Sequence, residues 1–122
     1  MPPDDLTPAE IRAIAKAVGG SSALARRMGK NDRTVRGWLE EPPRSAPEST
    51  DDLIDAWAVA VIERLVAELT RQALACGTLA GRTVTLHAEL PDRLRPETAR
   101  RMRARLSQLA GTVLPNINLR AA

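Results

Sequence analysis

At 122 residues and 13.2 kDa, 43% hydrophobic and 27% charged, the chain suffices for one compact domain, or a small head with a second module of similar size, that buries about 65% of its unfolded surface. One cysteine, Cys76, and one histidine, His87, exclude an internal disulfide framework and leave no usual zinc ligand set within a single chain. Net charge is +3, unevenly placed: residues 1–49 carry 8 basic and 7 acidic groups, 50–76 carry 2 and 5, and 77–122 carry 8 and 3, which favours one specific surface facing a polyanion over a uniformly sticky polycation.

No stretch approaches the roughly 18 uninterrupted apolar residues of a membrane span, and Met1 to Asp5 lack a positive region followed by an apolar one. A cytoplasmic protein with no membrane contact is expected. The first helix opens at Thr7-Pro8-Ala9-Glu10, where Thr7 caps, Pro8 suits the first turn and Glu10 reaches back to the capping amide. Ile11, Ile14, Ala15 and Val18 recur at helical spacing until Gly19-Gly20. Ser21 or Ser22 caps a second, short helix that ends at Gly29. Asn31 or Asp32 caps a third, which runs to Leu39 before Pro42-Pro43 forbids continuation.

Glu41 to Thr50, with three prolines and two serines, reads as a linker. A long helix from about Leu53 to Ala75 follows, with Asp51 and Asp52 favoured at its positive end. Its apolar residues spread well beyond one stripe, so it wants cover on more than one face. Gly77 and Gly81 bracket a turn, and the period then changes to two: Val84, Leu86, Ala88 and Leu90 alternate with polar residues as in a half-buried strand that Pro91 ends. A last helix spans roughly Pro96 to Ala110, burying Ala99, Met102, Leu106 and Leu109, with Gly111 closing it and Arg100, Arg101, Arg103 and Arg105 on a solvated face. Thr112 to Leu114 with Ile117 and Leu119 form one more short strand, broken at Pro115.

The densest information lies between Ser21 and Glu40. Two helices that cross through a tight turn need a small residue where the second passes over the first, and Ala25 supplies it. The turn needs a residue tolerant of left-handed backbone four positions later, and Gly29 stands there. Leu24, Met28, Val35 and Trp38 are spaced to lock the pair. This pattern, covering about residues 7 to 41, resembles the helix-turn-helix of the lambda-repressor and Cro-like (XRE-type) regulators of phages and bacteria. In layout, with a proline-containing linker Arg44-Ser45-Ala46-Pro47 and a small tail, the chain also resembles the anti-CRISPR-associated phage regulators. One long helix follows the motif here, where the head of the lambda-repressor and Cro-like family has further short ones.

The resemblance implies that the helix from Asp32 to Glu40 enters the DNA major groove. Its outward residues would be Asn31, Asp32, Arg33, Arg36 and Gly37. Arg33 and Arg36 are the expected base readers, because arginine grips O6 and N7 of guanine with two hydrogen bonds. Asn31 either pairs with adenine or caps the helix; Asp32 either caps it or meets cytosine N4; Gly37 offers close backbone approach. Phosphate contacts are expected from Ser21 and Ser22 at a helix start and from Lys30 and Arg44 at the motif's edges. Gly19-Gly20-Ser21-Ser22 lacks the Gly-Lys-Ser/Thr ending and preceding strand of a nucleotide loop.

No paired-carboxylate, histidine-based or nucleophile arrangement asks for catalysis, and neither an enzyme nor a cofactor is expected. His87 reads as an exposed surface residue and Cys76 as structural. The expected fold is mainly α: a three-helix head over 1–43, a linker over 44–50, and over 51–122 a long helix with a small strand-helix-strand tail that forms a homodimer through Trp57, Val61, Leu65, Val84 and Leu86. The expected function is sequence-specific binding of double-stranded DNA at an inverted repeat, as a dimeric repressor. The alternative is a protein-binding inhibitor or adaptor, anti-CRISPR-like or an antitoxin, acting through its C-terminal module on a protein partner.

Overall fold

In the computed structural model, which describes residues 6–76, 84–113 and 117–121, helix α1 (Pro8–Val18) starts as its sequence predicts. The Thr7 hydroxyl accepts the Glu10 amide at 3.2 Å, and the Thr7 amide donates to Glu10 Oε1 at 2.9 Å, so two otherwise orphaned donors are satisfied reciprocally. Gly19 ends α1 in the left-handed region at φ 116°. Helix α2 (Ser21–Met28) then begins directly after Gly20, whose φ of 108° no serine adopts easily. Gly20, and neither Ser21 nor Ser22, is therefore the capping residue, and it contributes no side-chain bond.

Helix α3 (Asp32–Leu39) is capped by Asn31. Helix α4 (Thr50–Cys76) starts three residues earlier than its apolar pattern suggests, because the Ser49 hydroxyl accepts the Asp52 amide at 3.3 Å and brings Asp51 and Asp52 into the first turn. Strand β1 (Val84–Ala88) and strand β2 (Ile117–Ala121) pair in parallel, with Val84 opposite Ile117 and Ala88 opposite Ala121. Parallel neighbours need a crossover, and helix α5 (Pro96–Val113) provides it. That helix continues through Gly111, so Thr112 and Val113 are helical instead of extended; the Thr112 hydroxyl donates back to the Gln108 carbonyl at 3.2 Å. Its buried stripe is Thr98, Met102, Leu106 and Ala110, one i,i+4 row, with Ala99 and Leu109 only half-buried. The side chains of Cys76, Val84 and Leu86, and the expected turn and break at Gly77, Gly81 and Pro115, lie outside the described residues.

One apolar core runs through the molecule. Ile11 and Ile14 of α1, Leu24 of α2, and Val35 and Trp38 of α3 belong to the same buried cluster as Leu53, Trp57 and Leu65 of α4 and Met102 and Leu106 of α5. Helix α4 packs against α1, α2 and α5, so the proline-rich segment joins two halves of one core. Trp57, Val61 and Leu65 are 0%, 4% and 6% exposed. The cover that α4 needs on several faces comes from its own chain, and these three residues are not available to a partner. Among the described residues, the large apolar side chains left exposed are Val59, Val66 and Val113.

Ion pairs reinforce the α4–α5 contact. Arg105 Nε donates to Asp55 at 2.6 Å, and Arg101 bonds Thr50 at 3.0 Å and pairs with Asp51. Two of the four arginines expected on a solvated face therefore hold helices together.

The deepest polar contact is Glu10, 1% exposed. Besides Thr7, it accepts the Arg95 amide at 3.0 Å on Oε2 and the Arg95 guanidinium on Oε1 at 3.0 and 3.1 Å, and Thr98 hydrogen-bonds the same carboxylate. Burial alone would raise its pKa from the ordinary 4.5, but the bonds from Thr7, Thr98 and Arg95 outweigh it and pull the group down to about 2. A carboxylate depressed in the folded state stabilises above its unfolded pKa and ceases to as it takes up a proton. Glu10 should thus contribute about 3 kcal/mol at neutral pH, lost as pH falls from about 4.5 to 2. In urea titrations from neutral pH down through that window, Glu10→Gln should lower stability at neutral pH and flatten the acid-dependent decline; an unchanged slope would contradict the assignment.

Candidate nucleic-acid interface

The α2–α3 turn is built as its residue types demand. Gly29 takes φ 66°, its amide and that of Lys30 return to the carbonyls of Arg26 and Ala25 at 3.3 and 2.9 Å, and Ala25 is buried where the helices meet. Val35 and Trp38 are 0% and 3% exposed, which fixes the rotation of α3 and leaves Arg33, Thr34 and Arg36 facing outward. Arg26, Lys30 and Asn31 are exposed beside them.

The sequence-predicted residues divide on inspection. Asn31 Oδ1 accepts the Arg33 amide at 2.8 Å, so Asn31 is the cap of α3. The Asp32 carboxylate is thereby free for other work: Oδ1 accepts the Ser22 hydroxyl at 3.2 Å and Oδ2 pairs with Arg36 Nη2 at 2.8 Å. Arg33 makes no side-chain ion pair among the described residues and is exposed. Lys30 is likewise exposed, and Ser21 is half-buried in the first turn of α2.

Gly37 does not stand on the outward face. It is buried, its carbonyl accepts the Arg44 amide at 2.8 Å, and a Cβ there would meet Ser45 Oγ at 3.0 Å and Arg44 Nε at 3.2 Å. The close approach that glycine permits is used by the chain itself. Arg44 lies back over α3, donating to the Arg33 carbonyl at 3.1 Å and standing 3.8 Å from Glu40, so its guanidinium braces the helix while half its surface stays in solvent.

Two features escaped sequence reasoning. Thr34 is exposed on α3 between the two arginines; its spacing from Val35 and Trp38 already puts it off the inward face. Arg27, one of the two arginines in the last turn of α2, is turned onto α4, where Nη2 meets Glu63 at 2.6 Å. That hydrogen bond raises the Arg27 pKa and lowers that of Glu63. Nothing local to Arg27 announces a partner 36 residues away.

The surface thus gathers Arg26, Lys30, Arg33 and Arg36 with one carboxylate, Asp32, already paired. Among the described residues no group of three or more His, Cys, Asp or Glu side chains is placed to hold a metal ion, and no helix is long and apolar enough to cross a membrane. No family model, curated protein or solved structure matches the chain.

Asn31→Ala should cost about 1 kcal/mol of stability and Asn31→Asp much less, as read from urea midpoints; equal midpoints for wild type and Asn31→Ala would mean that the side chain does not cap α3.

Proposed function

We propose that the protein binds double-stranded DNA in a sequence-specific way through α3 and acts as a transcriptional regulator, repressing from an inverted-repeat operator. The observation that carries this reading is the exposed face of α3: Arg33, Thr34 and Arg36 stand outward beside Lys30 while Val35 and Trp38 anchor the helix in the core. A helix held this way offers its N-terminal turns to a major groove, with arginine for guanine and a threonine hydroxyl and methyl for either polar or apolar base edges. Lys30, Arg26 and the first amides of α2 at Ser21 and Ser22 supply sequence-independent phosphate contacts.

One such head touches too few bases to single out an operator, so two copies on half-sites about 10 base pairs apart, or a multiple of that, complete the reading. Val59 and Val66, seven residues apart on one face of α4 and both exposed, replace the buried Trp57, Val61 and Leu65 as the apolar contact between copies.

Selecting bound sequences from a random duplex pool tests binding, symmetry and half-site spacing together. The selected duplex should bind with a log-log salt slope of about −0.9 per phosphate neutralised. Arg33→Ala or Arg36→Ala should cost about 1–3 kcal/mol on the preferred site and relax one base position per half-site. Lys30→Ala should weaken all duplexes alike, and Arg27→Ala should leave the salt slope unchanged. No enrichment from the pool, or a slope near zero, would remove the reading.

A further inference from the structure

Three polar side chains on two helices form a chain: Ser22 Oγ donates to Asp32 Oδ1 at 3.2 Å, and Asp32 Oδ2 holds Arg36 Nη2 at 2.8 Å. Each carboxylate oxygen has a separate partner, and the capping duty at this helix end belongs to Asn31. As a stability device the Asp32–Arg36 pair is weak, since two thirds of the Arg36 side chain is in solvent and exposed pairs contribute little. As a source of affinity for a polyanion it is worse than nothing, because a carboxylate beside phosphates repels them. What the pair does accomplish is orientation. It draws the Arg36 guanidinium back toward the N-terminal turn of α3, the end nearest Ser22, and commits one Nη2 hydrogen, so that the second Nη2 hydrogen and its neighbouring donor still form one two-donor edge open among the described residues.

We infer that Asp32, anchored by Ser22, is a specificity-determining positioning residue: it holds the Arg36 guanidinium in the orientation that reads one guanine in each half-site. The inference rests on the proposed DNA reading and deepens it by separating the two arginines. Arg36 is pre-oriented, so little rotamer freedom is lost when it meets O6 and N7. Arg33 has no such partner among the described residues, so it loses more rotamer freedom on meeting its base and discriminates less sharply than Arg36.

The test uses the full chain, the duplex selected from the random pool, and that duplex with each other base at the guanine read by Arg36. Asp32→Asn preserves shape and the acceptor for Ser22 but discards the charge; Asp32→Ala discards both. Both should reduce the preference for guanine at that position by about two- to fivefold, the range an exposed pair supplies, while leaving affinity for non-preferred duplexes equal or higher. Ser22→Ala should lower the same preference by a smaller factor, and Ser22→Thr should restore it. Without DNA, 15N relaxation of the arginine Nε–H groups should show Arg36 ordered in the wild type and mobile in Asp32→Asn, with Arg33 mobile in both. A retained guanine preference in Asp32→Asn, a uniform loss on every duplex, or Arg36 equally mobile in wild type and variant would overturn the inference. A wild type that selects no sequence while its Arg36 is ordered would instead overturn the DNA reading, and the assignment of a base-reading role with it.

Discussion

Among the described residues a single buried carboxylate, that of Glu10, holds the first helix to the last. An ionised group almost wholly removed from water is tolerable only if its oxygens are filled with donors, and here they come from three places: the Thr7 amide, the Arg95 amide and guanidinium, and Thr98. The constraint is mutual. Arg95 immediately precedes α5, so the bonds to Glu10 set where α5 begins, and α5 in turn covers the face of α4 that α1 and α2 leave open. Helix α4 is the bed on which α2 rests, and α3 is rotated by Val35 and Trp38 in the same core. The orientation of the exposed face of α3 is therefore a property of the whole chain, although the motif that displays it occupies a third of the sequence.

The same geometry decides which charges are at liberty. Several arginines are paired within the chain: Arg27 with Glu63, Arg95 with Glu10, Arg101 with Asp51 and Arg105 with Asp55. The acidic middle of the chain is accordingly the counterpart of flanking arginines from both sides, and since each pair cancels one charge of either sign, the pairing leaves the net charge unchanged but decides which cations face solvent. The cations left outward around α3 are Arg26, Lys30, Arg33 and, restrained by Asp32, Arg36. A small, patterned group of this kind suits recognition better than indiscriminate attraction.

What could be read from the sequence was local. Thr7-Pro8-Ala9-Glu10, Gly19, Gly29, Asn31 and the inward spacing of Val35 and Trp38 each act within four or five residues, so their consequences are visible in a short window. Long-range pairing was not. The breadth of the apolar surface on α4 shows that several neighbours are needed but not whose they are, and Trp57, Val61 and Leu65 turned out to meet the chain's own helices. Arg95 lies 85 residues from Glu10 with nothing nearby to mark it as a clamp. Within the candidate site, the outward placement of Arg33 and Arg36 was legible from periodicity, whereas the burial of Gly37 depended on Arg44 and Ser45 folding back over α3, a contact across an irregular segment that carries no period.

The proposed function requires that α3 meet duplex DNA while the rest of the chain keeps its fold. Backbone amide shifts of the full-length protein, followed while a short duplex is added at two salt concentrations, test it most directly. The shifts should move at Ser21, Ser22 and from Lys30 to Arg36, recover at high salt, and leave the amides of Met102 and Leu106 in place. Changes centred on α5 or on the β1–β2 pair, with α3 unmoved, would contradict it.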